Sequence, residues 1–172
     1  IGTEFARRAQ AFHPACITGV RRTVRSSDPA FTSIHAIAEL DSVLPETDLL
    51  VMALPSTAET VGILSRERIA LLPDSAFVVN VGRGTAIDQE ALCDALNAGQ
   101  LAGAALDVVV PEPLPADHPL RRAKNLLLTP HVAGNMTLGY TCDKSVQMFC
   151  DDLENYAAGR PLAHLVDRKR GY

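Results

Sequence analysis

The sequence predicts an α/β fold, a doubly wound parallel sheet with helices on its faces. Short apolar runs at 49–54, 77–79 and 104–110 have the length and composition of buried strands. Segments with apolar residues at helical spacing separate these runs. Strands that alternate with helices indicate a parallel sheet with right-handed crossovers. The sequence contains neither an internal repeat nor a low-complexity segment.

Prolines separate the predicted elements in the first third of the chain. Apolar residues from Phe5 to Phe12 have helical spacing, and Pro14 ends that helix. The continuous apolar run LLVMAL is typical of a strand buried on both faces. The predicted elements are a helix over 2–12, a strand over 15–20, a loop over 24–33, a helix over 37–44 and a strand over 49–54.

Capping residues define the elements that follow. Ser65 and Asp88 are suited to begin helices, and Gly99 is suited to end the second one. Apolar residues from Leu138 to Tyr156 repeat every three or four positions, which predicts a long amphipathic helix with packing roles for its cysteines. The predicted elements are helices over 65–72, 88–98 and 137–158 and strands over 77–79, 104–110 and 126–129.

Composition and charge exclude several classes of protein. The 172 residues fit one domain, and 47% hydrophobic with 21% charged residues is ordinary for a globular protein. A formal net charge of −4 argues against nucleic-acid binding. No apolar run approaches the roughly 18 residues of a membrane span. The four cysteines lack metal-ligand spacing, so we predict no metal site, reduced thiols and a cytoplasmic protein.

Polar and charged side chains follow the predicted strands at their carboxyl ends. Arg83 lies between Gly82 and Gly84, and we expect these glycines to permit a tight turn and a close approach to a ligand. Because the carboxyl ends of parallel strands meet at one edge of a sheet, ligands bind in the crevice there. The residues predicted at this edge are Arg21, Arg22, Pro55, Arg83, Asp107, Glu112 and His131.

An arginine, a carboxylate and a histidine at one site match the chemistry of reducing a 2-keto acid. Arg83 would bind the substrate carboxylate with two hydrogen bonds. His131 would donate a proton to the carbonyl oxygen as a hydride arrives from a nicotinamide. Glu112 would orient the imidazole and favour its protonated form.

Each of these residues also has a purely structural interpretation. Arg83 alone could be a surface arginine in a glycine turn, His131 alone a core histidine, and Glu112 alone a solvated side chain. Asp107 differs, because an acid within an apolar strand is buried and needs a partner. Loop or helix-end positions without partners are expected for the other four histidines, His13, His35, His118 and His164.

Three ordered segments carry a resemblance to a known family. They are NVGRG at 80–84, LDV at 106–108 followed by PEPL at 111–114, and TPHVAG at 129–134. Together they resemble the cofactor domain of the D-isomer-specific 2-hydroxyacid dehydrogenases, over nearly the whole chain. The resemblance implies a Rossmann-type dinucleotide-binding domain. It also implies hydride transfer between a nicotinamide cofactor and a small 2-keto or 2-hydroxy acid, such as glyoxylate or hydroxypyruvate.

The resemblance also implies a role for each matching residue. Arg83 corresponds to the substrate-binding arginine, His131 to the proton donor and acceptor, and Glu112 to the acid paired with that histidine. Asp107 would face the nicotinamide carboxamide. The other positions implied to line the cofactor are Pro55, Val81, Gly82, Ala133 and Gly134.

The start of the chain departs from the family pattern. Ile1 and Gly2 resemble the end of the fingerprint G-x-G-x-I-G, so we expect them to contact the cofactor and the first strand and substrate domain to be missing. We divide the chain into a partial cofactor domain over 1–136 and a helix with tail over 137–172, which would pack towards the absent substrate domain. Because a sheet without its central strand exposes apolar edges, we expect these residues alone to be inactive.

The end of the second strand of the family fold bears on cofactor choice. NAD-dependent members carry an acid there, which binds the adenine ribose hydroxyls. This chain has Arg21 in the acidic place and Arg22 beside it. Two guanidinium groups attract a 2′-phosphate, so we favour NADP(H), with NAD(H) possible. The alternative is two solvated arginines in a protein that still accepts NAD.

A second class of function uses the same fold. A non-catalytic dinucleotide sensor or corepressor-like module needs the cofactor site but not all of Arg83, Glu112 and His131. Formate and phosphite dehydrogenases are enzyme alternatives, although the formate enzymes resemble the family with glutamine in place of the acid. The resemblance further implies a homodimer joined through the cofactor domain.

Overall fold

The computed structural model describes residues 1–24, 28–134 and 139–168. Its strands are short, three or four residues each, and all the pairs that they form are parallel. The strands are β1 (Thr18–Arg21), β2 (Ser33–Ala36), β3 (Leu49–Met52), β4 (Phe77–Asn80), β5 (Gly103–Leu106) and β6 (Leu126–Leu128).

Helices alternate with these strands along the chain. The α-helices are α1 (Gly2–Ala9), α2 (Leu40–Val43), α3 (Arg66–Ile69), α4 (Gln89–Ala98) and α5 (Gly139–Ala157). Single turns of 3₁₀ helix cover Gln10–Phe12, Ile37–Glu39, Leu44–Glu46, Gly84–Ala86 and Pro119–Arg122. The predicted α/β class and the parallel sheet are confirmed.

The register of the larger sheet determines where its strands end. Its order is β3-β4-β5-β6, and Met52, Asn80, Leu106 and Leu128 are consecutive partners across it. All four strands therefore end at the same edge. The segments that follow them carry Pro55, Arg83, Asp107 and His131 to that edge, as the sequence predicted.

The strands divide into two sheets, β1–β2 and β3–β6. Among the described strands, β3 pairs with β4 alone, so it lies at an edge of its sheet, and its first residue Leu49 is 50% exposed. The prediction that this strand is buried on both faces was wrong, since Leu50 and Val51 are only partly buried and Met52 alone is buried.

One apolar core nevertheless joins the two sheets. Leu44 in the segment after β2 and Leu92 on α4 are both fully buried members of the same cluster. Met52 of β3 belongs to it, and Val20 of β1 packs against it. Helix α4 begins at the predicted cap, where the Asp88 carboxylate accepts from the Ala91 N–H at 2.9 Å. It ends at Gly99, whose φ of 74° is left-handed.

Several predicted boundaries were wrong. Strand β2 was missed, because Ser33–Ala36 is only partly buried and contains no apolar run. The helix expected over 37–44 is instead α2 flanked by two 3₁₀ turns. The strand expected over 104–110 ends at Leu106, so Asp107 follows β5 rather than lying within it.

Helix α5 packs less than its sequence predicts. Its apolar positions are solvent-exposed, including Val146 at 61%, Phe149 at 67% and Leu153 at 53%. The predicted packing role of Cys150 is wrong in this structure, since that side chain is also exposed. Leu138, the predicted helix start at 137 and the predicted domain boundary at 136–137 lie outside the described residues. In the described part of the chain, no helix is long and apolar enough to cross a membrane.

Candidate active site

The turn that carries Arg83 is held by Asn80, the last residue of β4. The Asn80 side chain is 1% exposed. Its amide group donates to the Arg83 carbonyl oxygen at 2.9 Å, and its oxygen accepts from the Gly82 N–H at 3.0 Å. These two bonds fix the backbone on both sides of residue 82. The Arg83 side chain is exposed, with Nη1 donating to the Gly82 carbonyl at 2.7 Å.

The structure shows that Gly82 and Gly84 have a role in backbone packing. A Cβ at position 82 would lie 2.6 Å from the backbone N and O of Leu54. A Cβ at position 84 would lie 2.4 Å from the carbonyl carbon of Val109. Both glycines are buried, and neither has a positive φ. They are therefore required because the segments after β3, β4 and β5 pack backbone to backbone.

Asp107 holds the turn that carries His131. It is 6% exposed, and its carboxylate accepts from the Thr129 hydroxyl, the Val132 N–H at 2.9 Å and the Ala133 N–H at 2.9 Å. The Asp107 carbonyl also accepts from the His131 N–H at 2.9 Å. His131 has a φ of 55°, a conformation that is rare outside glycine. The prediction that a buried Asp107 needs a partner is thus met by several groups of the turn 129–133.

His131 and Glu112 form a pair across this edge of the sheet. The distance from His131 Nδ1 to Glu112 Oε2 is 2.8 Å, and the other carboxylate oxygen accepts from the Val109 N–H at 3.0 Å. The side chains are 47% and 38% exposed, so the interpretations of a core histidine and of a freely solvated glutamate are both wrong here. The pair leaves His131 Nε2 as the ring nitrogen that can face a substrate.

The two carboxylates of the site are held in their ionised forms. The hydrogen bond from His131 and then that from the Val109 N–H lower the pKa of Glu112, and Arg83 adds a favourable Coulombic interaction. Burial alone would raise the pKa of Asp107, but its hydrogen bonds from Thr129, Val132 and Ala133 lower the pKa overall. Glu112 is therefore a permanent acceptor for His131 near neutral pH.

Arg21 and Arg22 lie at the end of the other sheet. The Arg21 guanidinium carbon lies 5.8 Å from the centre of the Phe31 ring, and its Nη2 is buried without a hydrogen bond to any described group. A buried donor without a partner is costly, and a phosphate oxygen would satisfy it. Arg22 lies 3.8 Å from the Glu59 carboxylate. The residues present at this end therefore fit a phosphorylated cofactor.

The remaining positions predicted to contact the cofactor lie at the start of α1 and in the segments after the strands. Ile1 and Gly2 form the start of α1, where unpaired backbone N–H groups favour an anion. The Pro55 carbonyl accepts from the buried Thr60 hydroxyl at 2.6 Å, which fixes the segment after β3. Gly134 faces open space. Val81 is partly buried and Ala133 exposed, whereas the buried Gly82 has its N–H engaged by Asn80.

Sequence reasoning missed Asn80 and Thr129, which hold the turns of Arg83 and His131. The signal was present, because each is a polar residue at the point where an apolar strand ends and a turn begins. Three histidines that were expected to lack partners have them. The partners are Glu39 for His35 at 3.5 Å, the Leu120 N–H for His118 at 3.2 Å and Asp152 for His164 at 3.4 Å.

The parallel sheet, its helix N-terminus and the ligand-binding edge define a Rossmann-type dinucleotide-binding domain. The family model of the D-isomer specific 2-hydroxyacid dehydrogenase NAD binding domain matches residues 1–133. This chain belongs to the D-isomer-specific 2-hydroxyacid dehydrogenase family, as the sequence resemblance indicated.

Individual relatives agree with this assignment. The chain is 39% identical over 148 residues to glyoxylate/hydroxypyruvate reductase A of Klebsiella pneumoniae (strain 342), covering 86% of this chain and 46% of that protein. A D-isomer specific 2-hydroxyacid dehydrogenase from Xanthobacter autotrophicus Py2, solved with NADPH and MES, has a TM-score of 0.84 and 34% identity. That match covers 96% of this chain and 66% of the Xanthobacter chain.

A third match contains both a cofactor and a hydroxy acid. It is a probable 2-hydroxyacid dehydrogenase from Rhizobium etli CFN 42, solved with NADP, HEPES and L(+)-tartaric acid. Its TM-score is 0.81 with 30% identity, covering 98% of this chain and 53% of that one. The chain thus spans about half the length of the curated relative described above.

Proposed function

We propose that this chain forms the cofactor domain of an oxidoreductase that interconverts a small 2-keto acid and the D-2-hydroxy acid. The observation that carries the proposal is the 2.8 Å contact of His131 Nδ1 with Glu112, on the same sheet edge as exposed Arg83. By analogy with the Klebsiella relative, glyoxylate and hydroxypyruvate are the substrates to test first.

Three residues of this chain have separate roles in the proposed reaction. Arg83 binds the substrate carboxylate with its guanidinium fork and so orients the neighbouring carbonyl. His131 Nε2 gives its proton to the carbonyl oxygen during reduction and takes it back during oxidation. Glu112 keeps Nδ1 engaged and balances the positive charge of the protonated ring. When bound, a nicotinamide supplies or accepts the hydride at the substrate carbon.

The residues that would hold the cofactor follow the same edge of the fold. Ile1 and Gly2 would meet the pyrophosphate at the start of α1, and Arg21 with Arg22 the adenine ribose. Pro55 and Val81 would line the cleft after β3 and β4. The nicotinamide end would meet Gly82, Asp107, Ala133 and Gly134. Asp107 retains capacity for this role, because a carboxylate has about four acceptor sites and three are in use.

Replacing His131 tests the reaction. His131→Ala should lower kcat by about 10²–10⁴-fold, the usual contribution of a general acid, while cofactor binding measured by nicotinamide fluorescence is retained. His35→Ala is the matched control, because His35 also pairs with a glutamate but lies on β2, in the sheet that does not carry His131. Unchanged turnover of His131→Ala would refute its role. Cofactor binding without turnover in the unaltered protein at its full encoded length would favour the sensor alternative.

We further propose a preference for NADP(H). The buried, unpartnered Nη2 of Arg21 supports it, and the Xanthobacter and Rhizobium structures contain NADPH and NADP. Arg21→Ala should reduce the ratio of kcat/KM for NADPH to that for NADH by about tenfold or more, because charge-assisted hydrogen bonds contribute about 1.5–3 kcal/mol. Arg66→Ala removes an equal charge paired with Asp94 and should leave the ratio unchanged. A strong NADH preference of the unaltered protein would contradict the proposal.

We also propose that α5 and the tail, residues 137–172, pack towards a substrate domain, and that the protein is a cytoplasmic homodimer. The exposed apolar side chains of α5, among them Phe149 and Tyr156, support a covering partner. Light scattering of the protein at its full encoded length tests the assembly, and a monomeric mass would contradict it.

A further inference from the structure

The loop after β5 positions Glu112, yet it has little backbone support of its own. Residues 108–113 take part in no backbone–backbone hydrogen bond with any other part of the chain that the structure describes. Val110 is 45% exposed, so water competes for its peptide groups. Something other than the sheet must therefore hold this loop in place.

Gln89, the first residue of α4, supplies two bonds to this loop. Its side-chain Nε2 donates to the Val110 carbonyl at 2.6 Å, and its Oε1 accepts from the Val110 N–H at 2.8 Å. The amide thus occupies both hydrogen-bonding groups of one residue, as a neighbouring strand would. The orientation of the amide follows from its partners, since only the NH₂ can donate to a carbonyl.

Two further contacts link the Val110 backbone, which Gln89 holds, to the pair of Glu112 and His131. The Val109 N–H, adjacent to the clamped residue, donates to Glu112 Oε1 at 3.0 Å. Glu112 Oε2 in turn contacts His131 Nδ1 at 2.8 Å. Gly84 packs against the carbonyl group of Val109. A shift of the 109–112 backbone would therefore move Glu112 away from His131.

Helix α4 does not itself need glutamine at this position. Its first turn is already capped by the Asp88 carboxylate. A negative charge is favoured near a helix N-terminus, so electrostatics of the helix alone would favour glutamate over glutamine at position 89. Glutamate, however, has no donor for the Val110 carbonyl. The Val110 carbonyl needs a donor and the Val110 N–H needs an acceptor, and glutamine provides both in one side chain.

We propose that Gln89 is a positioning residue for the Glu112–His131 pair, acting through the backbone of Val109 and Val110. This inference rests on the proposed function of that pair. Gln89 touches neither the substrate nor the cofactor in this scheme. Its loss should therefore affect turnover while substrate and cofactor affinity are retained.

A double-mutant cycle in the protein at its full encoded length tests the inference. Gln89→Glu keeps the shape but places a carboxylate oxygen against the Val110 carbonyl, so kcat should fall about tenfold, within the range of coupling in one hydrogen-bond network. In a Glu112→Ala background the same change should have less than about a twofold effect, because the path to His131 is already broken. Gln100→Glu, the same change at an exposed position, should leave kcat unchanged.

Two further readouts separate positioning from a general loss of structure. KM for the keto acid and cofactor affinity by nicotinamide fluorescence should stay within about twofold of the unaltered protein, since Arg83 and α1 are untouched. The acid limb of the kcat profile should move to higher pH, because a weaker Val109–Glu112 bond lets the pKa of Glu112 rise. The titratable or charged groups that act on the pKa of Glu112 are His131 and Arg83, and both remain in the variant.

Each outcome decides the inference. Full kcat in Gln89→Glu, or an equal loss with and without Glu112, would overturn it. Gln89→Met, which adds no charge, repeats the comparison, and if both variants fail to fold the role of Gln89 is structural and the inference is wrong. Absence of keto-acid reduction in the unaltered protein would instead refute the proposed function, and this inference with it.

Discussion

Asp107 lies directly after β5, and its carboxylate accepts hydrogen bonds from three groups between Thr129 and Ala133. These hydrogen bonds connect the end of β5 to the turn in which His131 has a left-handed backbone conformation. Strain of this kind persists only where the surroundings determine the backbone. The buried acid therefore serves the position of the histidine, and its ionisation contributes to the stability of the fold.

Asp107→Asn should lower the free energy of unfolding at pH 7 by about 1–3 kcal/mol, because an amide NH₂ would face an N–H donor of the turn. The folded-state pKa of Asp107 is lowered, so its contribution is fully present above the ordinary value of about 3.9 and is lost as the pH falls through the folded pKa. Urea unfolding across pH should show the difference between the two proteins shrinking in acid. Asp117→Asn, at an exposed site, is the control. A difference independent of pH would contradict this account.

The segments after β3, β4 and β5 behave as one packed layer rather than as separate loops. Gly82 packs on the Leu54 backbone and Gly84 on Val109. Side chains complete the layer, with Asn80 holding the Arg83 turn and Gln89 holding Val110. The spacing between Arg83 and the His131–Glu112 pair is thus determined by backbone contacts, which tolerate no added side-chain atom.

Gly84→Ala should destabilise the protein by about 1–3 kcal/mol, because its Cβ would meet the Val109 carbonyl carbon at 2.4 Å and the backbone must shift. The shift moves the loop of Glu112, so kcat should fall as well. Chemical denaturation and steady-state kinetics measure the two effects. Gly139→Ala is the matched control, because a Cβ there meets nothing within 4 Å, and alanine favours its helix. Normal stability of Gly84→Ala would show that the layer can relax.

At the scale of the whole molecule, the two sheets share their apolar core, although no strand pairing within the described ranges joins β1 to β3. Leu44, which follows α2, is fully buried in the same cluster as Leu92 of α4. The ion pair of Arg68 with Asp41 also links the two regions, at 2.6 Å. Side-chain packing, rather than a continuous ladder of strand hydrogen bonds, therefore holds the β1–β2 sheet with Arg21 and the β3–β6 sheet with Arg83 and His131 together.

Leu44→Ala should lower the free energy of unfolding by about 2–5 kcal/mol, the usual effect of a cavity in a closed core. If the core is one unit, the variant should still unfold in a single transition when followed by both fluorescence and circular dichroism. Leu165→Ala removes the same atoms from a side chain that is 75% exposed and should change little. Two separate transitions in the Leu44 variant would show that the sheets unfold independently.

Local patterns in the sequence determined the alternation of elements, the caps at Ser65, Asp88 and Gly99, and the family to which the chain belongs. These features depend on residues within a few positions of one another, so periodicity and turn chemistry reveal them. The short strand β2 was not predicted, because a partly buried strand of four residues has almost no periodic pattern of apolar residues.

For the candidate site, too, some features could be predicted from the sequence and others depended on the tertiary structure. The sequence by itself determined which residue types follow the strands, and parallel strands bring Arg83, Asp107 and His131 to one edge. Only the tertiary structure decided why Gly82 and Gly84 are glycine, and that Asn80 and Gln89 hold the turns and loops around the site. Gln89 contacts a backbone 21 positions away. Such contacts depend on how whole segments pack against one another, and no local pattern in the sequence encodes that packing.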